Sequence, residues 1–197
     1  MSSWEVELRE GRIVLRPLSP RDGSAWREVR SRNADWLRPW EATVPPGTDA
    51  AARTFRTLVR DLRAQARERR ALPFAVTVDG AFAGQLTVMN IVGGSARWGQ
   101  IGYWIDRRYA GQNVIPTCVA LAVDHCMLGL GLHRIEVSIR PENVASLRVV
   151  EKLGFTEIGF APRYLHIDGA WRDHKIFQIT REEIGAGLTE RFRHSTT

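Results

Sequence analysis

Residues 107 to 114 read RRYAGQNV, between a stretch patterned as a strand (GQIGYWID) and one patterned as a helix (IPTCVALAVDHC). The first backbone amides of a helix have no internal partners, and together with the helix dipole they attract anionic oxygens. Gly111 permits close backbone approach, Asn113 is a candidate N-cap, and Pro116 falls in the first turn, where its missing N–H costs nothing. Arg107 or Arg108 can add a charge-assisted bond to a phosphate. On these residues two readings stay open: a phosphate-binding loop, or a plain strand-to-helix turn with a single glycine. A second segment, RPENVASLRVVEKLGF at residues 140 to 155, also opens a helix after a strand, with Asn143 and Ser146 three apart at its start.

These segments need a scaffold, and the chain patterns one. WEVELREGRIVLRPL alternates apolar and polar residues around Glu10-Gly11, which predicts extended structure with a turn. Ser19-Pro20-Arg21-Asp22 is a helix start, and that helix is expected to reach about Asn33. DWLRPWEATVPPG, with two tryptophans and three prolines, is expected to be a loop without regular helix. Helix is predicted from Thr48-Asp49 to about Arg70, with Arg53, Arg56, Arg60, Arg63 and Arg67 on one face and Phe55, Leu58, Val59, Leu62 and Ala66 on the other. That basic face is a solvated surface or a contact for RNA.

Residues 74 to 105 read as three antiparallel strands, with turns at Asp79-Gly80 and Gly93-Gly94. A helix over 114 to 128, a strand at HRIEVSI, a helix over 143 to 153 and a hairpin turning at Asp168-Gly169 follow. From Arg181 the chain is polar and is expected to fray. The order describes a mixed α+β domain over residues 1 to 180 with a tail over 181 to 197. Consecutive hairpins in the middle exclude a Rossmann fold, which needs crossovers.

A chain of 197 residues, 44% hydrophobic, has the size of one domain. It shows no run of about 18 apolar residues and no signal-peptide stretch, so a cytoplasmic protein without membrane contact is expected, as a monomer or homodimer. Cys118 and Cys126 are too far apart along one helix for a disulfide, and the five histidines lack ligand spacing, so no metal site is expected. The net charge of +6 favours anionic partners.

Taken together, the loop and RPENVASLRVVEKLGF resemble the GNAT acyltransferases, more narrowly the RimJ/RimL type that acetylates the N-terminal amine of ribosomal proteins. The family's pyrophosphate loop has the form Gln/Arg-x-x-Gly-x-Gly/Ala, which Arg108, Tyr109, Ala110, Gly111, Gln112 and Asn113 fit except at the last place. Asn-x-x-Ser followed by Glu-Lys-Leu-Gly-Phe is the more specific match, and IGYWID is similar to the family's fourth strand. SRNADWLRPWE resembles the acceptor-side loop of this branch. Asn113 departs from the second loop glycine, and Gln100 stands where many relatives carry glutamate.

The resemblance implies a mixed, mostly antiparallel sheet of about six to seven strands flanked by helices. It implies acetyl-CoA as cosubstrate and direct attack of an amine on its thioester. A model α-amine has a pKa of about 7.7 to 8.0 against about 10.4 for lysine, so a protein N-terminus needs only a weak base. Ser146 is the implied acid at the leaving sulfur; the plain alternative is a helix-start serine that satisfies backbone amides. Asn143 is implied to bond the pantetheine arm or order a water; the plain alternative is an N-cap.

Backbone groups of Tyr103, Trp104 and Ile105 are implied to pair with the pantetheine, and Arg108, Ala110, Gly111, Gln112, Asn113 and Val114 to hold the pyrophosphate. Glu41 is the first candidate base and Asp173 the second, though both types of residue are commonly just solvated. Trp36 and Trp40 are candidate walls of the acceptor site. Two other functions remain open: acetylation of a small amine such as an antibiotic or polyamine, and a catalytically weak module that binds ribosome or RNA.

Overall fold

The computed structural model describes residues 4–48 and 54–196. Residues 49–53, with the expected helix start at Asp49 and Arg53 of the basic face, lie outside the described residues.

The N-terminal alternation folds as a hairpin of β1 (Leu8–Glu10) and β2 (Ile13–Pro17). Ser19 and Asp22 form a capping box on a 3-10 turn (Pro20–Asp22) that leads into α1 (Gly23–Arg32). The Asp79-Gly80 turn joins β3 (Leu72–Val78) to β4 (Ala81–Val92), and β5 (Trp98–Ile105) returns antiparallel to β4. The chain then forms α4 (Val114–Asp124), β6 (Arg134–Ile139), α5 (Val144–Lys152) and the hairpin β7 (Thr156–Ile167) and β8 (Ala170–Thr180), while α2 (Ala34–Leu37) and α3 (Phe55–Arg67) precede β3.

One sheet of eight strands results, in the order β1-β2-β3-β4-β5-β6-β8-β7. Its neighbours are antiparallel except β5 and β6. The expected count of six to seven is too low, because short β1 adds a strand at one edge.

Side chains alternate between the two faces of the sheet, and the core divides accordingly. Phe74, Val76, Leu86, Ile101 and Tyr103 pack with α4 and α5, whereas Ala75, Phe82 and Trp104 pack with Val29 of α1 and Phe55 and Val59 of α3 (Phe55–Arg67). Helix α4 is apolar on nearly every side, as a helix covered by sheet and neighbouring helices should be.

Three expectations need correction. The tryptophan-rich segment is partly helical: α2 (Ala34–Leu37) is one turn, and Arg38–Trp40 form a 3-10 turn with Pro39 near its start, where no N–H is required. Helix α3 begins at Phe55, capped by the Thr54 hydroxyl, and Thr48 lies outside it. The polar tail does not fray: α6 (Leu188–Thr196) buries Leu188 and Phe192, and the Asp124 carboxylate of α4 caps it through the amides of Leu188 and Thr189. Among the described residues no helix is long and apolar enough to cross a membrane.

Candidate active site

Strands β5 and β6 pair only from Trp98 to Gln100 and then diverge, since β6 continues to Ile139 against β8 alone. The β5 backbone over residues 101–105 therefore has no strand partner on that side. Chain splitting of this kind opens a crevice at the centre of a sheet. A cavity of about 940 Å³ occupies it, bounded by the loop after β5, the start of α5 and the tryptophan segment.

Gly84 on β4 supports this strand, because a Cβ there would overlap the Trp104 carbonyl oxygen. The loop beyond β5 hangs on Asp106, which is 1% exposed. Its carboxylate accepts from Arg32 Nη2 (2.6 Å), Asn33 Nδ2 (3.0 Å) and Arg108 Nε (3.0 Å), while Asn33 Oδ1 accepts from the Arg107 amide (3.0 Å). Burial opposes the charge on Asp106, but these donors outweigh it and hold its pKa down at about 2. Helix α1 and the loop are thus fastened at one buried node.

Next come Gly111 at φ +75° and Asn113 at φ +57°, both left-handed. Around Gly111 there is open space for a Cβ, so backbone angle alone explains the glycine. Asn113 takes the same rare conformation, which asparagine tolerates better than most side-chain-bearing residues. It does not cap α4; its Oδ1 instead accepts from Lys152 Nζ at 2.7 Å. The first α4 amides remain without a side-chain cap, and their residues Val114 and Ile115 line the cavity. Such a concave set of N–H groups beside an ammonium suits phosphate oxygens.

Across the crevice, Asn143 Oδ1 accepts from the Ser146 amide at 3.1 Å and caps α5. This is the plain N-cap geometry, and both residues also line the cavity. The Tyr103 hydroxyl is buried without a hydrogen-bond partner. Burial pushes its pKa up to about 12, and the neighbouring Ser146 hydroxyl partly offsets that rise.

The family-model match settles the kinship: residues 12–156 fit the acetyltransferase (GNAT) domain. The chain belongs to the GNAT acetyltransferase family. RimJ of Mycobacterium smegmatis, solved in complex with CoA-disulfide, superposes with a TM-score of 0.91 at 37% identity, covering 98% of this chain and 96% of that one. The uS5-alanine N-acetyltransferase of Escherichia coli is 28% identical over 193 residues, 93% of this chain and 95% of that protein. "Probable N-acetyltransferase YjcK" of Bacillus subtilis is 36% identical over 101 residues, and that match spans 51% of this chain and 56% of the relative.

Within this GNAT fold most of the sequence-derived positions share one cavity. Tyr103, Trp104, Ile105, Ala110, Gly111, Asn113, Val114, Asn143, Ser146 and Glu41 all line it. The side chains of Arg108 and Gln112 are engaged elsewhere, Arg108 with Asp106 and Gln112 with the Arg108 carbonyl and Arg12. Asp173 does not line the cavity; its carboxylate accepts from the Arg163 amide. Gln100 also lies outside, bonded to Asn90.

The far end of the cavity is aromatic. Trp26, Trp36, Trp40 and Trp104 line it, and the Arg30 guanidinium lies 4.8 Å from the Trp26 ring centroid and 5.4 Å from that of Trp104. Arg30 is ion-paired with Glu41. Glu41 is positioned by the strand-like pairing of the following segment: Ala42 bridges Ile167, and the Asp168 amide donates to the Glu41 carbonyl. Sequence reading missed Trp26, Arg30, Asp106 and Lys152, whose roles depend on partners distant in the chain.

The basic face of α3 is partly neutralised. Arg60 pairs with Asp61, and Arg63 stacks on Trp4 with Glu5 nearby, while Arg56 and Arg67 are exposed.

Proposed function

We propose that this GNAT acetyltransferase transfers acetyl from acetyl-CoA to the N-terminal α-amine of a protein, foremost a ribosomal protein. The observation that carries the reading is the one cavity that joins an uncapped helix start, a strand edge unpaired by β6 and a set of tryptophans, with Ser146 also in its lining. The name of a relative matched over nearly its full length, the uS5-alanine N-acetyltransferase, points to the same acceptor class, and the RimJ structure was solved with a CoA disulfide.

The donor set fits the cosubstrate. The amides around Gly111 to Ile115, with Lys152 beside them, suit a pyrophosphate, and the strand edge of residues 101–104, ahead of the Ile105 carbonyl that accepts from the Trp36 indole, suits the amide groups of a pantetheine arm as an added strand. Arg108 and Gln112 then serve the loop by shaping it. Asn143 holds the first turn of α5, so that Ser146 faces the leaving sulfur.

The chemistry is a direct displacement. The amine nitrogen bonds to the acyl carbon, and the carbon–sulfur bond breaks with its electron pair on sulfur. The sulfur receives a proton by way of the Ser146 hydroxyl from solvent, and the surplus amine proton leaves to water or to Glu41. An α-amine with a pKa near 8 is already partly neutral at physiological pH, so a base held in an ion pair suffices.

A cationic antibiotic or polyamine calls for free carboxylates. The cavity offers Glu41, paired with Arg30, and Glu142, paired with Arg140, and Asp35 is not part of its lining. This favours a peptide. Contact of the exposed α3 arginines with ribosomal RNA belongs to the same proposal, as an aid to acceptor capture.

A thiol-release assay with acetyl-CoA against N-terminal peptides, lysine peptides and small amines tests it. Turnover with α-amine peptides is expected. Turnover with small amines only overturns the acceptor, and failure to bind acetyl-CoA in calorimetry overturns the enzyme.

A further inference from the structure

We propose that Tyr103 is a positioning residue for Ser146, its hydroxyl donating to Ser146 Oγ and aiming the serine proton at the leaving sulfur. The inference rests on the reading of Ser146 as the group that hands a proton to that sulfur.

Three observations carry it. The Tyr103 hydroxyl is buried and unpartnered. A buried donor left without a partner costs about 1 to 3 kcal/mol, a cost that phenylalanine at the same place avoids. Buried unsatisfied groups are rare enough to need a reason, and a role during reaction is one.

Secondly, the Ser146 hydroxyl is close enough to offset part of the rise that burial gives the Tyr103 pKa, although the two make no hydrogen bond in this structure, and both residues line the same cavity. They reach it from opposite sides of the split, Tyr103 from β5 and Ser146 from the first turn of α5.

Thirdly, the backbone of Ser146 is already fixed, because Asn143 Oδ1 takes its amide. What remains free is the hydroxyl rotor, and a rotor with several staggered wells delivers its proton in the right direction only part of the time. A donor bonded to one lone pair of Oγ removes the orientation in which the serine proton points back into β5. With its pKa raised by burial, the phenol stays protonated, and so remains a donor, throughout the range in which an α-amine reacts.

The bond forms when the acyl-CoA fills the cavity and excludes water. Tyr103 therefore acts through Ser146, and the proton delivered to sulfur comes from the serine hydroxyl, which solvent replenishes.

The test is a double-mutant cycle of Tyr103→Phe and Ser146→Ala, with kcat, KM for acetyl-CoA and thermal midpoint measured for each. Tyr103→Phe is expected to lower kcat about tenfold, the worth of one buried hydrogen bond, with KM unchanged. Its midpoint should equal or exceed that of the parent, since an unpartnered hydroxyl has been removed. In the Ser146→Ala background the same change should cost nothing more.

Tyr103→Phe with parental kcat, beside an impaired Ser146→Ala, overturns the positioning role and leaves the serine reading intact. A loss of kcat that tracks a lowered midpoint overturns it in favour of plain packing, and full additivity overturns it in favour of independent action. If Ser146→Ala itself turns over like the parent, the serine reading fails and this inference fails with it.

Discussion

Lys152, at the end of α5, places its Nζ 2.7 Å from the Oδ1 of Asn113, the residue that opens α4. The contact links the two helices across the end of the crevice proposed to take the pyrophosphate, and holds an ammonium near a helix start that lacks a side-chain cap. A position that departs from the family's loop pattern thus keeps the backbone conformation of glycine and adds a cation.

Asn113→Gly should therefore leave acetyl-CoA affinity within about threefold, because glycine adopts the left-handed region freely and the helix amides are untouched. Asn113→Val should weaken binding by about tenfold or more and lower the thermal midpoint. A β-branched residue at φ +57° carries roughly 1 to 2 kcal/mol of strain at the phosphate-binding turn. Calorimetry with acetyl-CoA separates the two. A large loss in the glycine variant would show that the Asn113 side chain holds the cosubstrate, directly or by placing the Lys152 ammonium.

Ser146→Ala and Asn143→Ala should fail differently, although the residues are three apart. Ser146 contributes its backbone amide to the cap, and alanine retains that amide. Its loss should lower kcat by about a hundredfold, the lower end of general-acid effects, with acetyl-CoA affinity and thermal midpoint unchanged. Asn143→Ala removes the cap and should cost about 1 kcal/mol of stability, visible as a lowered midpoint in calorimetric melting. If the two variants show the same profile, Ser146 is a structural residue of the helix start.

The contrast between these two residues and Asp106 shows what the sequence can carry. A strand, a left-handed turn and a helix start are local events, so RRYAGQNV and RPENVASLR announce their backbone geometry within a few positions. The hairpin at Asp79-Gly80 is legible for the same reason. The bonds from Arg32 and Asn33 to Asp106 span more than seventy positions, and no periodicity reports them. Arg30 and Glu41 are also paired by tertiary placement, through the segment that bridges Ile167. The tail is an intermediate case. Leu188 and Phe192 lie four apart, the spacing of one helix face, but two apolar residues in a polar stretch also fit a fraying tail, and the Asp124 cap that decides for a packed helix comes from α4.

Asp106 predicts an acid-sensitive loop. Its folded pKa of about 2 lies below the ordinary 3.8, so the ionised form stabilises the fold at every pH above about 4. That contribution, roughly 1 to 2 kcal/mol once solvent screening is allowed for, is lost as pH falls from about 4 through about 2. Asp106→Asn should lower the midpoint at neutral pH and raise KM for acetyl-CoA, because the loop loses its anchor to α1. Melting curves of parent and variant should converge near pH 2. A constant difference between them down to that pH would assign the stabilisation to another group.

The exposed arginines of α3 predict a dependence on acceptor size. Arg56, Arg60 and Arg67 point to solvent, and Arg60 is screened by Asp61, so any long-range attraction falls mainly to Arg56 and Arg67. Leu58, on the opposite face of the same helix, lines the cavity, so α3 flanks the site while its basic face turns outward, toward a large acceptor's surface. Replacing Arg56 and Arg67 with glutamine should leave kcat/KM on a short N-terminal peptide unchanged, since neither residue lines the cavity. On intact ribosomal particles it should fall several-fold and lose part of its salt dependence, because fewer counterions are released from RNA on contact. Equal activity of parent and variant on both acceptors, across a salt series, would identify the face as ordinary solvated surface, and the ribosome would then be recognised through the N-terminal segment that enters the tryptophan-walled end.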